Sequence, residues 1–210
     1  MALTLYVGSK RYSSWSLRPY LAFAHTGLAF ETQTILLDRE VTHAEILKVN
    51  PAGHVPVLHH DDLVIWDSLA ICEYLNELLP EAQLWPADRA RRARARSICA
   101  EMHSGFTALR SNMPMEVCES KPGQGHTPEA LADARRIMEI WREALAASSG
   151  PFLFGRFSIA DAMFAPVTTR FTTYGVELDA TCRAYVDTIA ALPAMQAWRR
   201  DAASEPASRA

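Results

Sequence analysis

The sequence predicts an α/β domain followed by an all-helical domain. The first 80 residues alternate between short apolar runs and helical patterns, whereas the residues after Pro80 contain no credible pair of strands. A length of 210 residues allows one large domain or two small ones, and a hydrophobic fraction of 49% supports a substantial core. We therefore predict domains at residues 1–80 and 88–210, joined by a linker at residues 81–87.

In the first domain, the predicted order of elements is β-α-β-α-β-β-α. Gly8 ends the first apolar run, Gly27 closes the first helix, and the polar turn 60–62 separates the last two strands. Pro80 ends the last helix. The predicted strands are 3–7, 32–37, 55–59 and 63–66, and the predicted helices are 18–26, 43–49 and 68–79. The first two strands should form a parallel pair and the last two a hairpin.

The second domain is predicted to consist of helices at residues 88–112, 128–147, 158–171, 181–191 and 194–203. Between the first two lies a long connection, residues 114–127, which contains two prolines and two glycines. This connection is either an ordered loop beside a site or a mobile one.

Charge and cysteine content narrow the classes of function. The formal net charge is −3, which is far from the basic surface that binding to a nucleic acid backbone requires. The four cysteines contain no CxxC pair, and the chain is too large to depend on disulfides. Neither a signal peptide nor a long apolar run is evident. We expect a cytoplasmic protein with no nucleic acid partner, no membrane partner and no metal.

A serine-rich loop connects the first strand to the first helix, where α/β sheets expose ligand sites. Pro19 favours a helix capped near Ser16, which leaves Ser13 and Ser14 in the loop with hydroxyls that can face a ligand. An earlier cap with a kink at Pro19 is the alternative, and the serines could also serve only as caps.

A second motif is the run Asn50-Pro51-Ala52-Gly53-His54-Val55-Pro56, which leads into the third strand. Pro56 cannot donate to a sheet, and its peptide bond is a natural place for the cis form. Val55 could then offer its N–H and C=O to an extended peptide ligand. An edge strand with an ordinary trans proline is the alternative.

The third motif is Asp67-Ser68, which opens the helix at 68–79. Free N–H groups at a helix start favour a carboxylate, and Asp67 adds a site for an ammonium group. The pair therefore suits the amino-acid end of a ligand, although the same residues often serve only as a cap.

Together and in this order, the three motifs resemble the glutathione-binding half of soluble glutathione transferases. The resemblance covers essentially the whole chain and implies a thioredoxin-like first domain, an all-helical second domain and a cytosolic transferase. The stretch 155–161 also resembles the buried capping box of the family, with Ser158 and Asp161 as partners.

The resemblance implies a binding role for each motif. Val55 and Pro56 would hold the cysteinyl backbone of glutathione, and Asp67 with Ser68 would hold its γ-glutamyl end. His54 would contact the glycine carboxylate.

For the sulfur partner we favour Ser14, with Ser13 as the close alternative and Tyr12 as a third candidate. A hydroxyl that donates to sulfur stabilises the thiolate. Residues 8–18 contain no cysteine, which disfavours glutathione-dependent thiol reduction. The serines resemble the loop of zeta-like isomerases, but Trp15 stands at the position of their cysteine.

The sequence thus predicts a glutathione transferase whose bound thiolate attacks an electrophilic apolar substrate, with glutathione as co-substrate and no cofactor. Arg110, Met113 and Met115 are candidates for the wall of the acceptor pocket. A homodimer is implied by the family. The alternatives are a glutathione-dependent cis/trans isomerase of the maleylacetoacetate type and a glutathione-binding protein without turnover.

Overall fold

A computed structural model describes residues 2–206, and it begins with an α/β domain as predicted. The seven elements follow in the predicted order: β1 (Leu3–Gly8), α1 (Ser14–Thr26), β2 (Glu31–Ile35), α2 (Thr42–Val49), β3 (Val57–His60), β4 (Leu63–Trp66) and α3 (Ser68–Leu78). The strands form one sheet in the order β2-β1-β3-β4. The pair β1–β2 is parallel and β3–β4 is an antiparallel hairpin, which confirms both predicted pairings.

Helices α1 and α3 pack against the sheet. Because the side chains of a strand alternate between the two faces of a sheet, every second residue can contact these helices. Leu3, Leu5 and Val7 of β1 are buried, and Leu5 lies opposite Leu58 of β3 in the register. The predicted motifs lie at the C-terminal end of β1 with the start of α1, in the turn before β3 and at the start of α3.

The start of α1 differs from the favoured prediction, because its N-cap is Ser13 and not Ser16. The Ser16 hydroxyl is used elsewhere: it accepts from the Gly8 N–H at 3.0 Å and from the Ser13 hydroxyl at 2.7 Å. The earlier cap is therefore the correct alternative, and Pro19 lies inside the helix.

The second part of the chain contains only helices as regular elements among the described residues. They are α4 (Arg89–Ser104), α5 (Thr107–Asn112), α6 (Pro128–Ala146), α7 (Ile159–Tyr174), α8 (Ala180–Ala190) and α9 (Pro193–Ser204). A single 3-10 turn, Pro80–Ala82, lies between α3 and α4. The all-helical second half is confirmed, whereas the division at residues 80 and 88 stays a prediction.

One predicted helix, at residues 88–112, is in fact two. Phe106 has a left-handed φ of 57° and is buried, which ends α4 and redirects the chain into α5. The long loop that follows is ordered, because the N–H groups of Lys121 and Gly123 donate to carbonyls at the end of α7. The hydroxyl of Thr173 in α7 also donates to the carbonyl of Glu116 at 2.7 Å.

Helix α7 is buried along almost its whole length and packs against both α1 and α4, so it connects the two halves of the molecule. Its predicted capping box is confirmed. The Ser158 N–H and hydroxyl both donate to Asp161 at 2.9 Å, and Leu153 and Tyr185 donate to the other carboxylate oxygen. Of the helices within residues 2–206, none combines the length and apolar character needed to cross a membrane.

Candidate functional site

Two cavities open where α1, α3 and the turn before β3 meet, and they share Trp15, His54 and Val55. The first cavity has a volume of about 330 Å³ and is lined by Trp15, His54, Val55, Pro56, Trp66, Asp67 and Ser68. The second has a volume of about 390 Å³ and is lined by Tyr12, Ser13, Ser14, Trp15, Leu37, Ile46, Gly53, His54, Val55, Arg110, Pro114, Met115 and Arg170. The structure therefore brings the three sequence motifs together.

The two candidate serines differ in what their hydroxyls do. The Ser13 hydroxyl donates to Ser16 Oγ at 2.7 Å and accepts from the Ser16 N–H at 3.4 Å. The Ser14 hydroxyl makes no hydrogen bond within the described residues. Both serines line the second cavity at the N-terminal end of α1, where the helix dipole favours negative charge. Only the Ser14 hydroxyl is left to donate to a ligand.

Asn50, which is fully buried, holds the turn before β3 in place. Its amide nitrogen donates to the His54 carbonyl at 2.7 Å, and its amide oxygen accepts from the Ala52 N–H at 3.0 Å. Gly53 has a φ of 71°, a conformation that favours glycine.

The peptide bond between Val55 and Pro56 is cis, as the sequence motif suggested. Pro56 lies before β3 and not inside a strand. Among residues 2–206, the Val55 N–H and C=O make no hydrogen bond, so both groups remain available at the cavity wall.

The N-terminal end of α3 forms the opposite part of the first cavity. Asp67 has a φ of 75° and caps the helix through Oδ1, which accepts from the N–H groups of Leu69 and Ala70. Its second oxygen lies 3.3 Å from Nε2 of His103 in α4. Ser68 is the first residue of the helix and is almost fully buried.

The three predicted acceptor residues do not all lie at a cavity wall. Arg110 and Met115 line the second cavity, but Met113 is fully buried in the hydrophobic core and lines neither cavity. The prediction of Met113 as a wall residue is wrong in this respect, because the chain turns its side chain inward at the end of α5. Its carbonyl accepts from Nε of Arg170 at 3.0 Å.

Sequence reasoning predicted Arg110 as a wall residue, but it assigned no site role to Trp15, Arg18 or Arg170. The guanidinium groups of Arg18 and Arg110 lie 4.2 and 4.6 Å from the centre of the Trp15 ring. Burial, together with the charges of Arg110 and Arg170, lowers the pKa of Arg18 to about 9. Burial, together with the charge of Arg110, lowers the pKa of Arg170 to about 10. Both arginines thus remain charged at neutral pH.

A signal for Arg18 and Arg170 did exist in the sequence. Each is the single arginine of a helix whose other residues are mostly uncharged, and charged groups are rarely buried without a reason. Their convergence with Arg110 came only with the packing of α1, α5 and α7.

The structure joins a four-stranded sheet of thioredoxin-like architecture to an all-helical half and has a cleft at the cis-proline turn. Models of the glutathione S-transferase N-terminal and C-terminal domains match residues 12–78 and 124–201. The chain belongs to the glutathione transferase family.

Individual relatives agree with this assignment. A probable maleylacetoacetate isomerase of Caenorhabditis elegans is 30% identical, with 90% of each chain covered. Glutathione S-transferase 1 of Dianthus caryophyllus is 32% identical, over 84% of this chain and 80% of the relative. A Burkholderia glutathione transferase homologue, solved with bound glutathione, is 27% identical with a TM-score of 0.74, over 98% of this chain and all of the other.

Proposed function

We propose that the protein ionises glutathione in the two cavities and attaches the tripeptide, through its sulfur, to a small electrophilic substrate. The observation that carries this proposal is the Ser14 hydroxyl, which lacks a partner in the described structure and stands at the start of α1 on the cavity wall. A hydroxyl in that position can donate to a thiolate, and the helix dipole adds to the same effect.

The first cavity supplies groups that complement the remainder of glutathione. The free N–H and C=O of Val55 match the backbone of the cysteinyl residue, with Pro56 beside them. Asp67 offers a carboxylate for the γ-glutamyl ammonium, and the start of α3 at Ser68 offers N–H groups for its carboxylate. His54 would contact the glycine carboxylate at the wall that both cavities share.

The chemistry proposed is nucleophilic substitution or addition. The thiol loses its proton to solvent, and the Ser14 hydroxyl donates to the sulfur anion. The sulfur then shares an electron pair with the electrophilic carbon, so a carbon–sulfur bond forms. In substitution a leaving group departs with its bonding electrons, and in addition the π electron pair moves away from the attacked carbon and is protonated by solvent. The proposal requires neither a metal nor an organic cofactor.

The hydrogen bonds of the two serines support Ser14 over Ser13 for the sulfur contact. The Ser13 hydroxyl caps α1 as an acceptor, and its proton is donated to Ser16 Oγ. Tyr12 lines the second cavity and stays the third candidate. The glutathione-dependent isomerase is the alternative reaction, since two relatives are named maleylacetoacetate isomerases. Trp15 at the position of the cysteine in those loops favours the transferase.

We further propose that the protein works in the cytoplasm as a homodimer and removes reactive electrophiles. The family supports each of these points. Sedimentation of the purified chain tests the dimer, since a mass of 23.3 kDa would contradict it.

The decisive experiment combines glutathione binding, measured by calorimetry, with conjugation to chlorodinitrobenzene. Saturable binding together with conjugation above the uncatalysed rate is expected. Binding without conjugation would favour the non-catalytic alternative, and turnover of a maleyl substrate without consumption of glutathione would favour the isomerase. Absence of both binding and turnover would reject the proposal.

A further inference from the structure

Arg170 presents a buried cation to the second cavity. The residue is 4% exposed, and its Nε donates to the Met113 carbonyl at 3.0 Å. Its two terminal nitrogens have no hydrogen-bond partner among residues 2–206. A guanidinium has five N–H donors, so most of the donors of Arg170 stay unused at the cavity wall.

No carboxylate neutralises this part of the site. Within the described structure, Arg18, Arg110 and Arg170 take part in no ion pair. The nearby acidic groups are engaged elsewhere, since Glu116 pairs with Arg11 and Asp67 lies against His103 in the other cavity.

The three arginines differ in their access to the cavity and in the number of donors that they leave for a ligand. Arg18 is fully buried and lines neither cavity, so it contributes charge but no contact. Arg110 lines the second cavity, but its Nε and one terminal nitrogen donate to carbonyls at the end of α4. Arg170, with neither terminal nitrogen bonded among residues 2–206, therefore leaves more donors for a ligand than Arg110 does.

Buried charges without partners are costly, and the usual solution is a bound counter-ion. The wall of the second cavity also contains apolar residues, among them Pro114, Met115 and Leu37. A ligand that complements both the arginine and the apolar wall has an apolar body and an acidic group. Arginine suits such a group because its planar fork matches the two oxygens of a carboxylate.

We propose that the acceptor substrate is an anionic electrophile, held through a carboxylate by Arg170 with added attraction from Arg110. The proposal rests on the proposed function, since it names the class of substrate for the same site. It also changes the sequence-based expectation of a purely apolar acceptor. The same chemistry could come from a carboxylate of glutathione, and the experiment separates the two sources.

The test uses a chloronitrobenzoate and its uncharged methyl ester as matched acceptors. In both, the glutathione thiolate attacks the carbon that bears chlorine, a carbon–sulfur bond forms and chloride leaves with the bonding pair. The thiol proton passes to solvent, and the carboxylate takes no part in the step. Each kcat/KM is divided by the uncatalysed rate constant, which removes the difference in intrinsic reactivity.

We expect the parent enzyme to prefer the acid by about 10- to 100-fold, the value of one charge-assisted interaction. Arg170→Gln should remove most of this preference, with KM for glutathione unchanged. Arg170→Lys, which keeps the charge, should retain part of it. Arg94→Gln is the matched control, because Arg94 is exposed and pairs with Glu143 away from the cavities.

Three results would overturn the inference. Conjugation of both acceptors without preference would reject it and leave the proposed function intact. A rise in KM for glutathione with the acid preference unchanged would assign Arg170 to glutathione instead. The third result would be that benzoate binds the glutathione-loaded parent no more tightly than benzamide does. This measurement needs neither turnover nor a folded variant. If the parent fails to bind glutathione at all, the proposed function fails, whereas the comparison of benzoate and benzamide on the free protein still decides the anion site.

Discussion

The sulfur partner can be identified by comparing Ser14→Ala with Ser13→Ala, because the two hydroxyls have separate tasks. The Ser13 hydroxyl caps α1 and bonds to Ser16, whereas the Ser14 hydroxyl has no partner in the described structure. Both side chains are equally buried, at 6% exposure, so the substitutions remove the same atom from similar surroundings. Each variant is therefore the control for the other.

The magnitudes follow from these contacts. Loss of an N-cap costs about 1–2 kcal/mol, so Ser13→Ala should lower the free energy of unfolding by that amount. Ser14→Ala breaks no internal bond, and we expect a change within about 0.5 kcal/mol. For bound glutathione, a hydrogen bond to a charged group is worth about 1.5–3 kcal/mol, and one pKa unit corresponds to about 1.4 kcal/mol. Ser14→Ala should therefore raise the pKa of the bound thiol by about 1–2 units, since it destabilises only the thiolate.

The assay is a pH titration of the ultraviolet absorbance of the bound thiolate, with urea unfolding of the free proteins in parallel. Below the thiol pKa, the rate of conjugation should fall in proportion to the lost thiolate fraction. A thiol pKa that rises in Ser13→Ala but stays unchanged in Ser14→Ala would refute the reasoning. An unchanged pKa in both variants would transfer the role to another donor, with Tyr12 as the next candidate.

Three further substitutions test other parts of the site and the fold. Asp67→Asn keeps an oxygen for the helix cap but loses the charge, so KM for glutathione should rise about tenfold with the melting temperature nearly unchanged. Asn50→Ala removes the bond that fixes the His54 carbonyl, so steady-state kinetics should show a raised KM for glutathione, while titration shows an unchanged thiol pKa. Asp161→Ala leaves four buried donors without their acceptor and should cost about 3–5 kcal/mol in urea unfolding, whereas the exposed Asp62→Ala should cost almost nothing. Equal stability of these last two variants would contradict the role of the capping box.

Local patterns predicted the elements of the fold well, and the errors lie where tertiary contacts outweigh local preference. Pro19 suggested a later helix start, but the hydroxyl of Ser16 is drawn to the Gly8 N–H at the end of β1, so the cap moves to Ser13. The break at Phe106 did have a local signal in Gly105, which is the C-cap of α4, whereas the left-handed conformation of the buried Phe106 had none.

In the candidate site, too, residues in short local motifs were predicted, and residues outside them were mostly missed. Residues in short motifs, such as Val55 and Asp67, were found because the backbone chemistry at a proline or a helix start is encoded locally. Residues that reach the site from distant helices were missed, since His103 and Arg170 approach it only through the packing of α4 and α7. Met113 was misplaced because the sequence does not show which side of the chain faces the core at the end of α5.

The sequence by itself determined the order of elements in the first domain, the position of the capping box and the resemblance to the family, because these follow from short local motifs. Only the tertiary structure decided which serine keeps a free hydroxyl and which charges meet at the second cavity. The first outcome depends on Ser16, which accepts from Ser13 and from the Gly8 N–H at the end of β1. The second depends on contacts of α1, α5 and α7, whose residues are separated by tens of positions in the chain. Burial removes the water that would screen these arginines, so their charges act together at the second cavity.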